Sequence, residues 1–366
     1  MSRNFTKQKH PIVLLTLFSL CGCANNPGIN TEDSASRLPS SNSAASESTG
    51  ESVSSLNDKK VQWMDDNHFT TGFYLKEWTT VNGGPVVRHL NYGASVETVD
   101  PEQGGHRNWI MARWWDPYDF ANATETQIGE NEWRYEDQSS YCDINPSSGS
   151  LTMYLNSYDE YLTKFGGSRS SSSQNWSHFL IEQTTTNRVC LQDLAEFWAD
   201  ITFSIDEMTL YDEENYSPNL HTAQLMWYFT LRNYPEEGAT DQGTYGDYMW
   251  FGLPLYDYRY NRVRAYQNID QGVTGSTNKL IYSIDNSTIL PVSDSKGLEI
   301  GREYTIHANI LPMMLDAYIY GCTNGALQGS NVSRMYIGYM NFGWEVPGSF
   351  GIKSTISNFN ATAIMK

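Results

Sequence analysis

Apolar and polar residues alternate with a period of two along much of this sequence, and that pattern limits the possible folds most. Short examples are Leu151–Leu155 (LTMYL) and Ile201–Ile205 (ITFSI), and longer ones are Ala223–Leu231 (AQLMWYFTL) and Lys279–Ile284 (KLIYSI). Because successive side chains of a strand point to opposite faces, such runs predict half-buried strands. Segments rich in Gly, Ser, Asn and Pro separate them and indicate turns.

Helical periodicity is weak by comparison. It predicts only two short helices, over Leu191–Trp198 and over Leu311–Tyr320, the second with Pro312 in its first turn. Many strands with few helices indicate two packed sheets or a closed barrel. The length favours a two-sheet antiparallel jelly-roll sandwich with long loops, and the absence of a 40–50-residue repeat argues against a propeller.

The N-terminus has the order of a secretory signal. Residues 1–23 place Arg3, Lys7 and Lys9 before an apolar run that ends in small residues and cysteine. The run is too short to span a bilayer. Residues 24–57 are rich in Ser, Asn and acidic residues and predict a flexible linker. Nearly all of the 11 Trp, 24 Tyr and 14 Phe follow, so residues 58–366 are predicted to form one domain.

Charge and cysteine content exclude some functions. The formal net charge of −18 argues against nucleic acid as a partner. After processing, three cysteines would remain, Cys142, Cys190 and Cys322, of which one pair could form a disulfide in an oxidising compartment. No cysteine or histidine cluster has the spacing of a zinc site.

Leu20-Cys21-Gly22-Cys23 resembles a bacterial lipobox, which implies cleavage before Cys23 and lipidation of that cysteine; an ordinary cleaved signal peptide is the alternative. A lipoprotein whose linker leads to an aromatic-rich β-sandwich resembles bacterial surface proteins with a concanavalin A-like carbohydrate-active domain. The resemblance implies a lipid-anchored protein of the cell envelope, at the outer membrane or cell surface. It implies a polysaccharide or oligosaccharide partner and no required cofactor.

Aromatic side chains beside polar ones are the candidates for sugar contact, since rings stack on the apolar faces of sugars. Met111–Phe120 (MARWWDPYDF) offers Trp114 and Asp116 at a predicted turn. Similar candidates are Tyr245, Tyr248 and Trp250 in TYGDYMWFG, and Trp344 with Glu345 in FGWEVPG. For any single one of these residues, core packing is the favoured explanation.

Asn175–Gln183 (NWSHFLIEQ) supplies further candidates. In a strand, His178 and Glu182 share one face about 13 Å apart, which is too far for a hydrogen bond but suits two groups lining one groove. We expect both to contact substrate, and both are candidate catalytic residues.

Two kinds of polysaccharide cleavage stay open at this point. A lyase needs a cation to neutralise a uronate carboxylate and groups to move protons, for which Arg88 and Tyr92 (in RHLNY), His178 and Arg169 are candidates. A glycoside hydrolase needs two carboxyls, about 5–5.5 Å or 6.5–9.5 Å apart. No Glu-X-Asp-X-Glu pattern occurs within a predicted strand, so its carboxyls would have to come from separate strands.

Acidic loops allow a structural calcium ion, at Asp212–Asn215 or at Asp241 and Asp247, although neither follows the EF-hand pattern. With no evident acid–base pair, the sequence favours binding of polysaccharide without catalysis. A polysaccharide-degrading enzyme on the same fold, or an adhesion lipoprotein that binds protein through a flat apolar patch, are the alternatives.

Overall fold

The computed structural model describes residues 59–76, 86–93, 109–234, 247–270, 277–328 and 330–366. Within these residues the chain forms seventeen strands and two α-helices, α1 (Ser157–Phe165) and α2 (Leu311–Thr323). The strands are β1 (Lys60–Gln62), β2 (Phe73–Lys76), β3 (Val86–Leu90), β4 (Trp109–Ala112), β5 (Thr124–Gly129), β6 (Glu132–Glu136), β7 (Ser140–Asn145), β8 (Ser150–Asn156), β9 (Ser177–Cys190), β10 (Leu194–Leu210), β11 (Gln224–Asn233), β12 (Tyr248–Asp257), β13 (Tyr266–Ile269), β14 (Leu280–Ser283), β15 (Glu303–Asn309), β16 (Met335–Val346) and β17 (Phe350–Met365).

The strands form two sheets. Sheet A has the order β15-β10-β17-β8-β7-β6-β5, with β1 also paired to β17. Sheet B has nine strands in the order β13-β14-β12-β11-β16-β9-β4-β2-β3. Neighbouring strands are antiparallel except for β2 with β4 and β12 with β14. The architecture is the predicted all-β sandwich.

The predicted alternation builds the core between the sheets. On β11, Trp227 and Phe229 point inward, and on β10 Phe197 does the same; all three are fully buried. Trp63 bridges the sheets, with its ring centroid 5.6 Å from those of both Phe197 and Phe229. Aromatic rings therefore fill much of the inter-sheet layer, and several tryptophans of the sequence are accounted for by packing alone.

One of the two predicted helices is present and one is not. The helix predicted over Leu311–Tyr320 is α2, with Pro312 in its first turn. The helix predicted over Leu191–Trp198 is wrong: residues Leu191–Asp193 form one 3-10 turn, and the rest begins β10. A bulge between Leu194 and Glu196 breaks the register of β10 with β17, so that the buried residues Leu194 and Phe197 are three apart and imitate a helical period.

The disulfide that the three cysteines would allow is not formed. Cys142, Cys190 and Cys322 are all free, with Cys142 fully buried on the core face of β7. The Cys190 thiol donates to the Val332 carbonyl and the Cys322 thiol to the Leu327 carbonyl, so each has a separate local partner. Neither helix in the described residues is long and apolar enough to cross a membrane.

Candidate functional site

The outward face of sheet B carries a groove, which the strand register defines. Directly opposite residues on neighbouring strands form rows of side chains that run across the sheet. One row consists of Ala112, Leu180, Gly343, Met226 and Pro254 on five neighbouring strands. All five are buried although they face outward. Because they are small or apolar, this row is the floor of the groove, and the larger side chains on both sides cover it.

Gly343 lets two strands approach closely in the middle of the floor. Its φ of +144° lies in a region that side-chain-bearing residues rarely adopt, and an added Cβ would overlap the carbonyl oxygen of Phe179. No other residue therefore fits at this point without moving β9.

The first bank of the groove is the row that contains Glu182, Asn341 and Tyr228. The hydroxyl of Tyr339 donates a hydrogen bond to the Glu182 carboxylate. Burial, together with the charge of Glu182, raises the pKa of Tyr339 well above its usual value, so Tyr339 remains a donor across the physiological range. Glu182 is thus held in place by a permanent hydrogen-bond donor.

The second bank is the row that contains His178, Glu345 and Gln224. His178 and Glu345 are cross-strand partners, with Nε2 and Oε1 3.7 Å apart and only 13% and 24% of their side chains exposed. Burial raises the pKa of Glu345 to about 7, and the negative charge of Asp270 contributes. Burial lowers the pKa of His178 to about 4. Near neutral pH the pair is therefore a neutral imidazole beside a carboxyl that is protonated about half of the time, not an ion pair.

Two indole rings lie beside His178. The ring centroid of Trp114 is 5.4 Å from that of His178, and the ring centroid of Trp176 is 6.4 Å away and nearly parallel. Both indoles are half-buried. Trp114 was predicted from sequence as a contact residue, and the structure brings it together with His178 at the end of the second bank.

A buried ionic cluster supports this end of the groove. Arg113 donates to the carbonyl of His178 and to Glu160, and its guanidinium lies 3.8 Å from Asp116. Asp116 also accepts from the backbone N–H groups of Tyr118 and Phe120. The carboxylate predicted to bind sugar is instead 3% exposed and fixes the turn that follows Trp114.

Asp137 completes the cluster. Burial raises the pKa of Asp137 to about 7, and the nearby charge of Asp116 adds to the effect. Its Oδ1 accepts from Ser139 and Ser140, whereas its Oδ2 is buried and has no hydrogen-bond partner among the described residues. Protonation of Asp137 would let this oxygen donate to Asp116.

Three other predicted site residues are bonded to backbone carbonyls. Arg88 donates to the carbonyls of Ala121 and Ala123, and Tyr92 donates through its hydroxyl to the carbonyl of Phe69. Arg169 is 3% exposed and donates to backbone carbonyls, including that of Leu220, while its guanidinium lies 6.0 Å from the ring centroid of Trp176. The polar atoms of all three residues thus hold loops in place.

The other aromatic candidates divide between the core and the far end of the same face. Trp344 is fully buried, and its indole donates to Ser354. Tyr248 and Trp250 share the outward face with the groove, and Tyr248 lies between Arg232 and Lys279, at 4.7 and 5.0 Å from its ring centroid. Tyr245 lies outside the described residues.

No group of three or more His, Cys, Asp or Glu side chains in the described residues is arranged to hold a metal ion. Of the residues considered for calcium, Asp212 uses its carboxylate on Ser168 and Asn215. Asp247 is described, but Asp241 lies outside the described residues, as do residues 1–57 with Cys23 and the predicted linker.

Comparison with known proteins adds little to this description. No protein-family model and no curated protein matches the sequence. Among solved structures, a family 12 xyloglucanase from Bacillus licheniformis is similar with a TM-score of 0.35 and 13% identity over 70% of this chain and 100% of that one. The endoglucanase cel12A from Rhodothermus marinus gives a TM-score of 0.33 and 10% identity over 67% and 97%. Scores this low do not bear on what the chain binds or cleaves.

The closeness of Glu345 to His178 is the feature that sequence reasoning missed. Glu345 was a candidate for sugar contact only together with Trp344, a residue that belongs to the core. Its pairing with His178 depends on the register between β9 and β16, which are far apart in the chain. The alternation of MNFGWEV does place Glu345 and Asn341 on the face opposite Phe342 and Trp344, and that was the available signal.

Proposed function

We propose that the groove on the outward face of sheet B binds an uncharged polysaccharide whose chain runs across the strands. The observation that supports this most directly is the row of polar side chains on each side of the buried floor, among them His178, Glu345 and Glu182. A sugar chain offers hydroxyls to such side chains and apolar faces to aromatic rings. Trp114 and Trp176 provide rings for stacking at one end.

The charges of the groove support an uncharged ligand. Glu182 and Glu345 stand on opposite banks, and the chain as a whole has a net charge of −18. A polyuronate would bring further carboxylates to these groups. Arg88, the residue expected to neutralise a uronate, is bonded to backbone carbonyls instead, so the lyase alternative loses support.

The adhesion alternative is also weakened, because it needs a flat apolar patch. The outward face of sheet B instead alternates a recessed apolar row with polar banks. A protein partner at this face would have to present a narrow ridge to fit it.

The test is affinity gel electrophoresis of the purified full-length chain in gels containing uncharged glucans, xylans or mannans, with alginate and pectate as charged counterparts. We expect retardation by at least one uncharged glycan and none by the polyuronates. Retardation by the polyuronates alone would contradict the proposal, as would the absence of retardation by every glycan of a broad panel.

Anchoring to the cell envelope through a lipid on Cys23 remains part of the proposal. It rests on the Leu20-Cys21-Gly22-Cys23 segment alone. Metabolic labelling with a fatty acid followed by membrane fractionation in a bacterial host tests it: the natural chain should take up label and sediment with membranes, and Cys23→Ser should do neither. Equal behaviour of the two chains would refute lipidation at Cys23.

A further inference from the structure

We propose that a small cavity at one end of sheet B binds a chloride-sized anion, which Arg169 holds. The cavity lies between the segment that precedes β9 and the segment that precedes β11. Its lining includes Arg169, Ser172, Trp176, Leu220, His221 and Arg259. The proposal does not depend on the binding of a glycan, although Trp176 also belongs to the proposed glycan site.

Arg169 is a buried cation that lacks a carboxylate partner in the part of the chain that the structure describes. Arg113 and Arg169 are the two almost fully buried arginines there, with 6% and 3% exposed. Arg113 lies within 4 Å of Glu160 and Asp116. The oxygens that Arg169 bonds are the backbone carbonyls of Ser172, Gln174 and Leu220. Buried charges in proteins are ordinarily paired, so an opposite charge is missing at Arg169.

The comparison with Arg113 shows that carbonyl contacts do not take the place of a carboxylate. Arg113 also donates to a backbone carbonyl, yet it has two carboxylates beside it. Burial lowers the pKa of both guanidinium groups. Glu160 and Asp116 more than offset this at Arg113, whose pKa is raised, whereas the pKa of Arg169 stays below its usual value. A bound anion would stabilise the charged form of Arg169 as the carboxylates do for Arg113.

The other ionisable groups in the lining do not supply the missing negative charge. Arg259 is a second cation, and Asp257 balances it through two hydrogen bonds of 2.9 and 2.6 Å. His221 is neutral, because its Nδ1 accepts from the Ser217 N–H while its Nε2 donates to the carbonyl of Arg169. The cavity is therefore positive on balance, in a chain whose net charge is −18.

Arg169 keeps N–H groups for a ligand. A guanidinium has five N–H donors, and Arg169 uses one on Nε and one on each terminal nitrogen. One N–H thus remains on each terminal nitrogen. The free volume of the cavity is about 10 Å³, which is room for one particle of about the size of a water molecule. A monatomic anion suits this space, whereas a carboxylate or phosphate group with its substituents is too large.

A bound anion would join two loops. His221 and Leu220 belong to the segment before β11, and Arg169 and Trp176 belong to the segment before β9. The guanidinium of Arg169 lies 6.0 Å from the ring centroid of Trp176. The ion would therefore fix the loop that carries Trp176, and it should stabilise the folded chain by mass action.

The first experiment is thermal unfolding of the full-length chain in sodium chloride and in sodium gluconate at equal ionic strength. We expect the midpoint to rise by a few degrees Celsius as chloride replaces gluconate, since gluconate is too large for the cavity. Arg169→Gln should lose this dependence. Arg264→Gln, at an arginine that is 61% exposed, is the matched control and should keep it. An equal rise in Arg169→Gln would overturn the proposal.

The second experiment observes the ion directly, by chlorine-35 nuclear magnetic resonance (NMR). The natural chain should broaden the chloride signal in a saturable way, and bromide should reverse the broadening. Arg169→Gln should not broaden it, whereas Arg264→Gln should. If Arg169→Gln fails to fold, crystals of the natural chain soaked in sodium bromide replace it, and an anomalous scattering peak beside the terminal nitrogens of Arg169 is expected. No saturable broadening, or no such peak, would mean that the cavity holds only water and would overturn the proposal.

Discussion

The two outward faces of the sandwich carry the same three kinds of side chain in nearly the same arrangement. On sheet A, Trp198 stacks on His307 with centroids 4.3 Å apart, and His307 is the cross-strand partner of Asp200. On sheet B, Trp114 lies beside His178, whose cross-strand partner is Glu345. Each face therefore has a tryptophan, a histidine and a carboxylate together.

Burial of the histidine is what separates the two sets. The His307 side chain is 68% exposed and bonds Asp200 directly, whereas the His178 side chain is 13% exposed and lies 3.7 Å from Glu345. The sheet A set is an ordinary surface pair that water screens. In the sheet B set, low exposure moves the pKa of the carboxyl up and that of the imidazole down. The comparison teaches that surroundings, not residue types, give one set the properties of a site.

The other outward-facing side chains of the two sheets also differ. Sheet A is lined by small polar side chains that bond across strands, such as Thr152 to Thr355 and Thr202 to Thr305. Sheet B has buried residues facing outward, among them Met226 and Leu180. Larger side chains cover that apolar row, so sheet B presents aromatic rings and carboxyls above an apolar base where sheet A presents hydroxyls.

The largest expected effect comes from removing the support beneath the sheet B set. Arg113→Ala leaves Glu160 and Asp116 buried without their cation, and we expect a loss of about 3–5 kcal/mol in the free energy of unfolding. The matched control is Arg264→Ala. Arg264 forms an ion pair with Asp294 in which the two side chains are 61% and 65% exposed, so its loss should cost less than about 1 kcal/mol. Urea denaturation followed by tryptophan fluorescence measures both. Equal losses would show that the cluster below the groove is no more important than a surface ion pair.

A second effect is a dependence of stability on pH that originates at Asp137. Its pKa is about 7 in the folded chain and ordinarily near 3.8. Between these values the folded state holds a proton that the unfolded state has lost, so stability should fall as the pH rises from about 4 to 7. Asp137→Asn should remove this decline, of a few kcal/mol at most, since an amide also donates to Asp116. Thermal unfolding across this pH range tests it, with Asp294→Asn as the exposed control, and an unchanged slope in Asp137→Asn would contradict the shared proton.

How far the sequence predicts this molecule depends on the range of the interactions involved. The alternation in Ala223–Leu231 predicted β11 because side-chain direction in a strand is a local property. The same principle placed His178 and Glu182 on one face of β9. The partner of His178 could not be predicted, because the register between β9 and β16 is set by packing of the whole sheet.

Other predicted contact residues show the same limit. Asp116 carries a carboxylate of the kind that bonds sugar hydroxyls, but Arg113 and two backbone N–H groups enclose that carboxylate. Arg88 and Arg169 likewise have the right chemistry for a carboxylate clamp and satisfy carbonyls instead. Whether a polar side chain is free for a ligand depends on hydrogen-bond partners that a sequence does not list.

A third effect compares the two tryptophans directly. Trp114→Ala should weaken binding of the retarding glycan about tenfold, since stacking on an aromatic ring contributes about 0.5–1.5 kcal/mol beyond its buried area. Trp198→Ala should leave binding unchanged, although it also removes an indole ring that lies beside a histidine. Affinity gel electrophoresis at several glycan concentrations gives both dissociation constants. A larger loss of affinity in Trp198→Ala than in Trp114→Ala would indicate that the glycan binds to sheet A.

The smallest effect concerns a single proton. Because burial lowers the pKa of His178 to about 4, its imidazole should stay neutral from pH 8 down to about 5. Its ring carbon-bound proton signals in NMR should hold constant over that range and move only near pH 4, with His178→Gln used for assignment. A midpoint near the ordinary value of about 6.5 would mean that water reaches His178 freely. Glu345 would then sit beside a cation at mildly acidic pH, and that charge would favour the ionised carboxylate. Constancy of the His178 signal is thus the finest test of the difference between the two faces, because it reports the surroundings of the pair without perturbing the fold.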